Sequence, residues 1–108
     1  MQLDGGYLYD IVRQAHTALG LVGGKTFQEF QYDYECRRCV QAIAEAAGRL
    51  SETFRKAHPD VPWTRIIEMG NRLQDPLRLD AVLRFVQKDL PDVIRALEGL
   101  LPPPEDER

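Results

Sequence analysis

Two cysteines, two histidines and one tryptophan are all that 108 residues contain of these types. Cys36-Arg37-Arg38-Cys39 has no second cysteine pair and no nearby histidine to complete a zinc site, and it lies inside a helical pattern, away from the helix N-terminus that would lower a thiol pKa. Two reduced thiols are the expectation. His16 falls at the edge of an apolar stripe with no Cys, Asp or second His at ligand spacing, so it reads as a boundary residue. Basic excess is missing as well. Fourteen Lys and Arg against 17 Asp and Glu leave a net charge of −3 and a pI of about 5.3, which gives no global attraction to phosphate backbones. No apolar run approaches the roughly twenty residues of a membrane span, and the N-terminus lacks a basic segment followed by an apolar one. The expectation is a cytoplasmic protein that stays out of the membrane and carries no cofactor or metal.

Alternating β-branched runs are also absent, whereas Leu and Ala are abundant and long stretches run free of Gly and Pro. This composition predicts an all-α chain with one core, because 108 residues are too few for two. After Asp4 and Gly5-Gly6, the residues Leu8, Ile11, Val12, Ala15, Ala18, Leu19 and Val22 recur at helical steps, and Gly23-Gly24 ends that helix. Thr26-Phe-Gln-Glu29 has the form of a capping box and opens a short helix through about Gln31. Phe27, Phe30, Tyr32 and Tyr34 crowd this region and read as core fill, since the acidic residues among them would repel a stacked nucleic acid.

From Asp33 to about Ala57 a third helix is predicted, with Cys36, Val40, Ile43, Ala47 and Leu50 in a seven-residue repeat. Ala42, Ala44 and Ala46 would allow close approach of a neighbour on a second side. Arg37, Arg38, Arg49, Arg55 and Lys56, balanced in part by Glu35, Glu45 and Glu52, read as a solvated face. His58 to Trp63 breaks the chain, and Pro62 suits the first turn of the next helix. A last helix is expected from about Asp80 to Leu101, with Pro91 kinking or restarting it near Asp89. The domain therefore spans 1–101, and Pro102 to Arg108 is expected to be a disordered charged tail.

Between these helices, Ile66 to Asp80 is the one polar junction where Gly70, Asn71, Asp75 and Pro76 gather. Pro76 biases Asp75 away from helical backbone, so the helix carrying Ile66, Ile67 and Leu73 should stop near Gln74. A functional site, where there is one, belongs here.

The order of features resembles the HepT-like branch of the HEPN superfamily. The pieces are Tyr7 to Ile11, Phe30, Ala44-Glu45-Ala46, Pro62-Trp63, Ile66 to Leu73 and Asp89 to Pro91, spread over nearly the whole chain. The resemblance implies an antiparallel up-and-down bundle of four main helices plus the short one, forming a homodimer. It also implies a toxin and antitoxin pair with a minimal nucleotidyltransferase. Active members are metal-independent ribonucleases with an Arg, usually followed by Asn, then a His about five residues after the Arg and a Tyr two beyond the His. The Arg orients phosphate, the His handles proton transfers, and the Tyr hydroxyl accepts nucleotidyl groups.

Here that pattern is broken at each chemical position. With Asn71 and Leu73 in register, Gly70 stands for the Arg, Asp75 for the His and Leu77 for the Tyr, and Pro76 replaces the usual Gly. Glycine offers phosphate no side chain, a carboxylate is a weak base and an anion at neutral pH, and leucine has no hydroxyl. Arg72 and Asp75 are the groups left to move chemistry along one turn, and they read more naturally as a local ion pair worth roughly a few tenths of a kcal/mol. Three classes follow: a dimeric interaction module with a dead site, a divergent ribonuclease toxin acting on RNA, or an unrelated helical scaffold.

Overall fold

In the computed structural model, residues 3–101 are described. Every regular element among them is helical. α1 covers Leu3–Val22, α2 Phe27–Phe30, α3 Tyr34–Arg49, α4 Glu52–Ala57 and α5 Trp63–Arg72. A 3-10 turn at Pro76–Arg78 leads into α6 (Leu79–Arg84), which passes through a π turn at Phe85–Asp89 into α7 (Leu90–Glu98). The expected four long segments plus a short helix are thus α1, α3, α5, the continuous α6–α7 rod, and α2. The tail expected to be disordered, 102–108, lies outside the described residues. No helix among the described residues is long and apolar enough to cross a membrane.

The stripes read from the sequence are the core. Leu8, Ile11, Ala15, Ala18 and Val22 of α1 are buried, as are Cys36, Val40, Ile43 and Ala47 of α3 and Val82, Val86, Leu90, Val93 and Leu97 of the last rod. α3 is the hub, packed on one side against α1 and on another against α5. Burying a Leu- or Ile-sized side chain contributes roughly 1.5–3 kcal/mol before the entropy of ordering it, so these shared stripes dictate which helix faces meet.

Three expectations need correction. α1 begins at Leu3, so Gly5 and Gly6 lie within its first turns and do not precede it. The helix expected from Asp33 to Ala57 is two helices, because Leu50 and Ser51 take extended backbone at ψ 144° and 151°. Ser51 is the reason. Its hydroxyl accepts from the Phe54 amide at 3.1 Å and caps α4, while Asp4 of α1 accepts from the Ser51 amide at 2.9 Å and hydroxyl at 2.7 Å. Those two bonds hold the Asp4 carboxyl below its usual range. Finally, of the four clustered aromatics only Phe30 fills the core; Phe27, Tyr32 and Tyr34 are exposed. Phe30 is the buried residue of the four-residue α2, whereas Tyr32 lies in the turn after it and Tyr34 opens α3.

Pro91 is accommodated as a restart. It stands at the start of α7, where its missing N–H removes no needed bond, and the preceding turn is widened so that the Leu90 amide reaches back to the Phe85 carbonyl. The extra residue keeps Phe85, Val86 and Leu90 buried together.

Candidate functional site

α5 brings the junction to the surface beside α3, and its buried face explains the glycine. Gly70 is buried against α3, and a Cβ built on it would stand 2.7 Å from the Cβ of Ala44, with Gln41 Oε1 a further 3.8 Å neighbour. Real carbon atoms do not approach so closely. A glycine inside a helix costs about 1 kcal/mol relative to alanine, and the close contact of the two helices is what offsets it. The small residues read in α3 as permitting close approach do meet a neighbour, at Ala44.

Past Gly70 the chain leaves the helix in an ordered way. The amides of Leu73, Gln74 and Asp75 reach the carbonyls of Met69, Asn71 and Arg72 at 3.1–3.2 Å. Asp75 then turns extended, at φ −116° and ψ 108°, and its carboxylate accepts from the Leu77 amide at 3.0 Å. Pro76 follows as the first residue of the 3-10 turn, and the Arg78 amide bonds the Asp75 carbonyl at 2.9 Å. Asp75 is therefore a cap whose oxygen is engaged by its own backbone.

The ion pair expected between Arg72 and Asp75 does not form. Arg72 lies 3.7 Å from Glu68, one turn back on α5, while Asp75 lies 3.5 Å from Arg78. The Asp75 carboxylate is engaged instead by the Leu77 amide and by Arg78, both C-terminal to it. Asn71 is exposed on the last turn of α5. Leu77 projects into solvent at 89 % exposure, a large apolar side chain with nothing covering it.

A residue that sequence reading treated as part of a solvated face anchors the junction. The Arg37 guanidinium donates to the Gln31 carbonyl at 3.1 Å and to the Leu73 carbonyl at 3.3 Å, and it lies 5.5 Å from the Tyr34 ring centre. It ties the end of α5 to the turn before α3. No spacing rule marks such a bond, since its partner lies 36 positions away. Between α3 and α5 an open hollow of about 250 Å³ is lined by Tyr34, Arg37, Arg38, Gln41, Leu73 and Gln74. Gln41 donates to Glu45 at 3.1 Å, but its carbonyl oxygen is buried without a partner.

Neither histidine reaches this region. His16 bonds Glu98 at 2.8 Å across α1 and α7, and His58 ends α4 with its ring centre 4.7 Å from that of Phe54. Both thiols are buried; burial pushes Cys36 up to about 12 and raises Cys39 as well, so neither is a ready nucleophile. Among the described residues no cluster of His, Cys, Asp and Glu could hold a metal ion. The junction thus offers amides, two paired cations and a capping carboxylate, with no imidazole at Asp75 and no hydroxyl at Leu77, as expected from the sequence.

Comparison with known proteins places this chain in a family. The profile of the family described as Ribonuclease HepT-like matches residues 11–100. Two proteins of Methanocaldococcus jannaschii, both provisionally named RNase, are each 26% identical to the chain. One aligns over 99 residues, 85% of this chain and 91% of that protein; the other aligns over 107 residues, 86% and 88%. A third, from Caldanaerobacter subterraneus subsp. tengcongensis and named in the same way, is 24% identical over 102 residues, 88% of this chain and 91% of its own. No solved structure matches significantly. The chain belongs to the HepT-like ribonuclease family of the HEPN superfamily.

Proposed function

We propose that this protein is a HepT-like member whose ribonuclease centre has lost its chemistry and which works as a dimeric interaction module in the cytoplasm, binding a minimal nucleotidyltransferase in a toxin–antitoxin-type pair. The observation that carries this reading is Gly70. Where active relatives need a phosphate-binding Arg, the backbone lies so close to Ala44 that a Cβ has no room. The neighbouring positions agree: Asp75 is occupied as a cap and Leu77 is an exposed hydrocarbon. Cleavage by attack of a ribose hydroxyl needs a base near neutral pKa and a cation free to meet the developing charge. Within the junction itself, Arg72 and Arg78 are paired with Glu68 and Asp75.

The alternative reading, a divergent metal-independent ribonuclease acting through Arg72 and Asp75, is favoured by the RNase names of the relatives. The interaction role is tested by what a nucleotidyltransferase does with this chain, and RNA cleavage separates the two readings. A minimal nucleotidyltransferase encoded beside this chain is expected to bind it in a titration, yet to leave residues 70–80 unlabelled after incubation with nucleotide. Failure to bind would contradict the interaction role, and a nucleotidyl adduct mapped by mass spectrometry to residues 70–80 would contradict the register that puts Leu77 at the acceptor position.

A further inference from the structure

α3 has two of its sides covered, by α1 and by α5, and a third that faces out. On that third side stand Tyr34, Arg38, Gln41, Ala42, Glu45 and Arg49, at helical steps of three and four. Tyr34 is 70 % exposed. Among the described residues Arg38, Glu45 and Arg49 take part in no ion pair, and Glu45 accepts only from Gln41. These are unspent groups on the central helix of the fold.

Their order along the helix is self-complementary. About a midpoint between Gln41 and Ala42, Arg38 and Glu45 are equidistant, and so are Tyr34 and Arg49. When two identical helices cross antiparallel about such a midpoint, a two-fold axis sets each residue opposite its mate on the other copy, and each contact occurs twice. Arg38 would face Glu45, an opposite-charge pair, and Arg49 would face the Tyr34 ring, a cation–π pair. Two hollows flank this ridge: the one of about 250 Å³ against α5, and one of about 170 Å³ against α1, lined in part by Ala42, Glu45, Ala46 and Arg49. A ridge between grooves accepts a second ridge. At the midpoint the small Ala42 keeps the crossing narrow.

We propose that a second copy of this chain docks through its own α3, antiparallel, with the two-fold axis between Gln41 and Ala42. The inference rests on the dimeric reading above and names its interface. A protein partner of other sequence has no reason to match a charge order that is complementary to itself.

Sedimentation at micromolar concentration tests it with the full chain and two variants, Arg38→Glu and Glu45→Arg. The unaltered protein is expected at about twice its 12.4 kDa mass. Each variant alone places like charges opposite one another twice and is expected to dimerise at least about tenfold more weakly. An equimolar mixture is expected to regain the dimer, because every introduced charge then meets its opposite on the other chain. Both side chains are exposed, and circular dichroism confirms that the variants stay helical. Unaltered protein that sediments as a monomer overturns the dimeric reading and the inference with it. Dimers that are insensitive to either substitution, or variants that the mixture does not rescue, overturn the α3 pairing and leave dimerisation through another face.

Discussion

Gly70→Ala is the substitution whose outcome follows most directly from the packing. In an exposed helix it would stabilise by about 1 kcal/mol, since alanine exceeds glycine in helix propensity by that amount. Here the new methyl would stand 2.7 Å from the Cβ of Ala44, and relieving such overpacking costs roughly 1–3 kcal/mol. Both groups lie near backbone, so no flexible side-chain end can swing aside. The net expectation is destabilisation by up to about 2 kcal/mol, a fall in melting temperature of up to roughly 15 °C for a domain of this size. Ala44→Gly alone loses helix propensity and a buried methyl, at a cost of roughly 2 kcal/mol. In the double variant the methyl simply changes sides, so its stability should return to within about 1 kcal/mol of the parent. Chemical denaturation of all four proteins at one fixed concentration measures this coupling. Additive effects, or a Gly70→Ala protein more stable than the parent, would refute the close contact of α3 and α5. The same steric limit means that Gly70→Arg, introduced to restore a phosphate-binding side chain, must be accompanied by Ala44→Gly, with Asp75→His, Pro76→Gly and Leu77→Tyr completing the motif.

Asp75→Ala should cost about 1 kcal/mol through loss of the cap on the Leu77 amide, and Asp75→Asn should recover most of it, since an amide oxygen caps as well; denaturant midpoints decide. The Lys25–Asp33 pair, 2.5 Å apart with Asp33 mostly buried, gives a pH dependence of known sign. The Lys25 ammonium and the Cys36 amide hold the Asp33 carboxyl below its ordinary range. Its contribution is therefore full above the unfolded value near about 4 and is lost as pH falls through the folded value. Asp33→Asn should flatten the acid limb of a stability–pH curve measured by chemical denaturation, leaving the share due to Asp4; an unchanged limb would count against the pair.

How much was legible in the sequence depended on the range of the interaction concerned. Stripes at three- and four-residue steps are local, and they placed α1, α3, α5 and the last rod with their buried faces. The Leu50–Ser51 break was hidden because the apolar repeat continues across it, through Ala47 and Leu50 to half-buried Phe54, while the contact that fixes it joins Ser51 to Asp4 across 47 positions. Ser51 ahead of Glu52 was the available local signal of a new helix start. At the junction, the order of motifs located Gly70, Asp75 and Leu77, but their reasons are tertiary or conformational. Gly70 is explained by Ala44 on another helix, Asp75 by a backbone bond two residues on, and Arg72 by a carboxylate one turn back. Arg37 stayed unread because a guanidinium binding distant carbonyls has no periodic signature.

The proposed loss of ribonuclease chemistry is tested most directly by single-turnover cleavage of end-labelled RNA, with protein in large excess and a chelator present to exclude metal-dependent contaminants. The rate for the unaltered protein is predicted to match that of the Arg72→Ala/Asp75→Ala double variant, both at the background of RNA alone. A rate clearly above background that the double variant abolishes would contradict the account and make Arg72 and Asp75 catalytic residues.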